Sequence, residues 1–103
     1  MPDSHASVRR QSSHRKKQAR QCLRIALQGM ERSGSNRGAT GWKLFIAEES
    51  IVRLRRPDPL EAKVPDKTVT QLLRTMQDVY RASRANDHGT VTRLLRLMLD
   101  SLA

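Results

Sequence analysis

The residues best equipped for chemistry lie near the amino terminus and are cationic: Arg9, Arg10, Arg15, Lys16, Lys17, Arg20 and Arg24. A guanidinium forks onto two phosphate oxygens and an ammonium adds a compact charge, so the run suits a nucleic-acid backbone. Over the whole chain arginine outnumbers lysine fifteen to five. A GC-rich or overprinted coding region would give the same bias without any recognition role. No aromatic residue interleaves the run, so the bases of a single strand find no stacking platform there. Recognition through backbone and shape is expected instead. RNA stands slightly ahead of DNA, because an arginine-rich segment can fold as a helix inside an RNA groove. The same cluster would also serve as a nuclear import signal or as a solubilising tail. Two arginines precede Ser12, the pattern basophilic kinases use, and a phosphate there would offset up to about two positive charges.

Other reactive types do not assemble into a centre. Cys22 sits among arginines that would favour its thiolate, but His14, eight residues away, is its nearest candidate base. Glu48 and Glu49 are adjacent, so their side chains diverge on a helix or a strand and do not converge as an acid and base must. His5, His14, Cys22 and His88 lack the paired spacing of a zinc site, and one cysteine cannot form an internal disulfide. The expectation is therefore a non-enzymatic chain with no metal, cofactor or small-molecule substrate. No apolar run approaches the roughly 20 residues a bilayer crossing needs. Met-Pro-Asp-Ser-His also lacks the apolar stretch of a secretory signal. An intracellular protein, nuclear or cytoplasmic, is expected.

Charge shows how such a site would be carried. The 103 residues bear a formal charge of +10. Residues 1–41 hold nine basic residues against Asp3 and Glu31, and residues 42–103 hold eleven against eight acids. That split reads as a basic arm on a nearly neutral folded part. Residues 1–19 have too little apolar surface to offset ordering entropy and are expected to be a disordered arm. Leu23, Ala26, Leu27 and Met30 share one helical face, predicting an amphipathic helix over 20–32. Residues 33–41 contain three glycines and read as a hinge; their spacing does not fit a phosphate-binding loop. Residues 42–103, with nearly all the periodic apolar positions, are expected to fold without the arm.

Within that core, residues 42–56 are ambiguous. Trp42, Leu44 and Ile46 alternate, and Val52 and Leu54 alternate with Arg53 and Arg55, which favours a small β-hairpin although its turn lacks glycine or asparagine. As a helix the segment would be apolar all round, implying a central, buried position. Residues 66–102 predict an αα-hairpin. Val69, Leu72, Leu73, Met76, Val79 and Tyr80 line its first helix, capped by Asp66. Asn86 to Gly89 form the stop, and Thr90 or Asp87 caps the second helix. There Leu97 and Leu99 broaden the stripe of Val91, Leu94, Leu95, Met98 and Leu102 beyond what one neighbour covers. A third element, either residues 42–54 or another chain, must pack on it. Val91, Leu94, Leu97, Met98, Leu99 and Leu102 are therefore the expected interface. Val91, Leu94, Leu97 and Leu99 also have the spacing of a leucine-rich nuclear export signal.

The fold class expected is mainly α: a basic arm, a short helix, then a helix-dominated core ending in the hairpin. The function expected is nucleic-acid binding, with the arm gripping phosphates and the hairpin mediating oligomerisation or docking. The alternative is a protein-interaction adaptor or inhibitor, of the small viral accessory or plasmid-borne regulator type. Its hairpin would bind a protein target, homo-oligomerisation being the other use of that surface, and its arm would only localise it.

Overall fold

In a computed structural model residues 14–33, 37–55 and 64–103 are described. Four helices account for nearly all of them: α1 (His14–Ser33), α2 (Arg37–Arg53), α3 (Asp66–Arg84) and α4 (His88–Ser101). Among the described residues there is no strand. Each helix packs on two others, in the cycle α1–α2–α3–α4–α1.

The partners fix the directions. Along α1 and α2, Ser50 Oγ donates to Cys22 Sγ at 3.3 Å. A Cβ built on Gly29 would come within 2.8 Å of Lys43 Nζ. One number rises as the other falls, so the two helices run antiparallel. The same holds for α2 and α3, where Gln77 donates to Glu48 at 3.4 Å and Arg55 donates to Thr70 at 2.9 Å. A three-residue link returns α4 along α3. The result is an up-down-up-down four-helix bundle.

Its core draws on every helix. Ala19, Leu23, Ala26 and Met30 come from α1, and Leu44, Ala47 and Ile51 from α2, with Leu54 just after it. Val69, Leu72, Met76, Val79 and Ala82 come from α3, and Val91, Leu95 and Met98 from α4, with Leu102 at its end. Each set recurs every three or four residues, which puts it on one face. Full burial of one large aliphatic side chain contributes about 1.5–3 kcal/mol.

The hairpin of α3 and α4 has the predicted form. Asn86 takes the left-handed conformation, with φ 57°, that reverses the chain. Asp87 caps α4, accepting from the Thr90 N–H at 3.2 Å and from its hydroxyl at 2.6 Å. Those two bonds hold the Asp87 carboxyl below the usual aspartate range. Asp66, expected as the cap of α3, is instead its first helical residue; Pro65 precedes it without a side-chain cap. There the Asp66 carboxylate complements the helix dipole and lies 3.6 Å from Arg55.

The favoured β-hairpin at 42–56 is not formed: residues up to Arg53 are helical. Leu44, Ala47, Ile51 and Leu54 meet the core at helical spacing, while Trp42 and Ile46, alternating with Leu44 in sequence, point outward. Ser50, a buried polar residue in that helix, returns its hydroxyl to the Ile46 carbonyl at 3.0 Å. Nor is α2 central: Trp42, Phe45, Ile46 and Val52 are exposed. Two other boundaries move. Residues 14–19, assigned to the arm, open α1, and residues 37–41, assigned to the hinge, open α2. Finally, the element that packs on α4 besides α3 is α1 and not residues 42–54. Arg96 pairs with Glu31 across that contact at 2.6 Å.

Candidate nucleic-acid interface

Arg9 and Arg10 lie outside the described residues, as does Ser12. The other arm cations are carried by α1. Because Ala19, Leu23, Ala26 and Met30 take the inward face, Lys17 and Arg24 are exposed on the outer one. Arg15, Lys16 and Arg20 are half-buried on its flanks. Arg20 is held on the side of α1 where its Nε is out of solvent contact without a hydrogen-bond acceptor.

The antiparallel pairing adds cations that the sequence places far away. The start of α1 lies at the same end of the bundle as the end of α2, so Arg15, Lys16 and Lys17 share that end with Arg53 and Arg55. Gln18 of α1 and Arg53 of α2 line one open groove, which agrees with that register. The start of α3 is there too, bringing Lys67. Against these six cations stand Asp66, already engaged by Arg55, Glu49 in the same groove as Arg53, and Asp100 near the end of α4. At the opposite end two cations also have partners. Arg81 is 4.0 Å from Asp78, and Arg84 Nε donates to the Tyr80 carbonyl at 3.4 Å. The Arg81–Asp78 and Arg55–Asp66 surface pairs add little stability, and each offsets one positive charge at its own end.

The remaining candidates are placed elsewhere. Val91, Met98 and Leu102, expected at an interface, are buried in the bundle core; Leu94 and Leu99 are half-buried against it, and only Leu97, at 54% exposure, faces outward. α1 packs on α4, where residues 42–54 or another chain were expected. Glu48 and Glu49 diverge as the spacing required. Glu48 turns to α3 and bonds the Tyr80 hydroxyl, whose pKa is pushed up to about 12 by burial first and by that carboxylate second. Glu49 is exposed. Cys22 is half-buried beside the core and receives the Ser50 hydroxyl. Among the described residues no three His, Cys, Asp or Glu side chains gather to hold a metal ion, and no helix is long and apolar enough to cross a membrane.

No family model, curated protein or solved structure matches this chain.

Proposed function

We propose that this chain is a non-enzymatic nucleic-acid-binding protein whose basic end grips phosphates, RNA slightly ahead of DNA. The observation that carries the reading is the convergence of Arg15, Lys16 and Lys17 with Arg53 and Arg55 at one end of a packed bundle. In sequence, Arg9 and Arg10 precede α1 by five and four residues. That α1 is already helical from His14 suits the groove-lying mode available to arginine-rich helices. Arg20 and Arg24 follow the cluster along the same helix. The adaptor alternative is less well supported, because most of the α4 stripe on which it relied is used inside the bundle.

The test is a titration of the full chain with RNA and DNA duplexes and single strands of equal length, over a range of salt. Contact with about six phosphates implies a log–log slope of roughly −4 to −5, shallower on single strands than on duplex, and little dependence on sequence. Binding that is absent even at low salt, or that does not respond to salt, would overturn the proposal.

A further inference from the structure

We propose that the outer face of α2, with the adjoining edge of α1, is a docking surface for an acidic amphipathic helix from another protein. Trp42 is 65% exposed, Phe45 46%, Ile46 38% and Val52 46%, and Ile25 of α1, beside them, is 45% exposed. On α2, Trp42, Phe45 and Ile46 follow helical spacing and form one apolar patch, Glu49 and Arg53 continue the same face, and Val52 lies to one side of it. The Trp42 and Phe45 rings stack with centroids 6.0 Å apart, so the anchors are already ordered. Contiguous exposed apolar surface that includes two aromatics is the composition of a contact centre.

Charge selects the occupant. Lys17 and Arg24 stand on the outer face of α1, and Arg53 stands at the end of α2 with Glu49 one turn before it. All four are exposed. A second copy of this chain would bring another +10 against the first and set a cationic border against its like. An amphipathic helix can instead lay apolar anchors at three- and four-residue spacing along the groove between α1 and α2, over Phe45 and Ile46. Carboxylates on its flanks would then meet Lys17, Arg24 and Arg53. The 17 residues of α2 span about 25 Å at about 1.5 Å per residue, enough for a partner helix of four turns.

The probe is a fluorescein-labelled 18-residue helical peptide with leucines at that spacing and glutamates on the flanks, followed by anisotropy against the full chain. One control peptide replaces its glutamates with lysines, and the other replaces its leucines with glutamines. The glutamate–leucine peptide should bind saturably and each control at least tenfold more weakly. Phe45→Gln and, separately, Trp42→Gln should each weaken binding at least tenfold. Both side chains lie outside the core, so circular dichroism should match wild type. Equal binding by the leucine-free acidic peptide would reduce the effect to attraction by the basic end and overturn the proposal. So would equal binding by the lysine peptide, or unchanged affinity in both variants. Sedimentation showing a dimer without peptide that Phe45→Gln dissociates would assign the face to a second copy, which also overturns it.

Discussion

A fragment comprising residues 42–103 will not fold cooperatively as a monomer. The sequence alone suggests otherwise, since the αα-hairpin and the apolar run before it lie within those limits. The bundle contradicts that division through α1, which puts Leu23 and Ala19 at 0% exposure, with Ala26 and Met30 nearly as deep. Leu23 and Met30 alone contribute about 3–6 kcal/mol at the usual worth of a buried side chain. Removing α1 also uncovers the faces of α2 and α4 that rest on it. Total stability for a domain is about 5–15 kcal/mol, and a chain of roughly 60 residues is already marginal. Far-ultraviolet circular dichroism of the fragment at micromolar concentration should give a shallow thermal transition without a sigmoidal step. The full chain should melt in one. A monomeric fragment with a steep two-state transition would show that α1 is an accessory to the fold.

Replacing Arg15, Lys16 and Lys17 together with alanine will leave the bundle folded and remove about half of its sensitivity to salt. None of the three is a core residue, and alanine favours the helix they occupy. On a duplex, each phosphate left without its cation changes the log–log slope by about 0.9, so three should reduce it by roughly 2 to 3 units. Between about 50 and 200 mM salt the wild type should lose about a thousandfold in affinity and the variant about fortyfold. Arg53→Ala should reduce the slope by about one further unit, because Arg53 belongs to the same end of the bundle. An unchanged slope in the triple variant would remove these residues from the nucleic-acid surface.

How much of this is legible beforehand depends on where each signal resides. The α3–α4 hairpin is legible because its signals are local: one apolar arc per helix, Asn86 at the reversal, Asp87 three residues before Thr90. α2 is not. Its apolar residues occupy both an inward set, Leu44, Ala47 and Ile51, and an outward set, Trp42, Phe45, Ile46 and Val52. Superposed on one stretch of sequence, two helical faces imitate the alternation of a β-strand. The glycines before Trp42 point the same way, since their intrinsic cost in a helix is real. The basic run in α1 is legible as phosphate chemistry from residue type alone. That Arg53 and Arg55 join it is not, because their proximity is a product of antiparallel α1–α2 pairing, which a β-hairpin at 42–56 would have abolished. The docking face on α2 is hidden for the same reason.

The location of the basic contact is the claim on which the functional account rests, and amide chemical-shift perturbation in the full chain tests it most directly. On addition of a short RNA duplex at low salt, the amides of residues 14–24, Arg53, Arg55 and Lys67 should shift together and saturate. Those of Ser83 to Gly89, at the opposite end, should stay in place. Shifts concentrated at Ser83 to Gly89, with the start of α1 unmoved, would contradict the account.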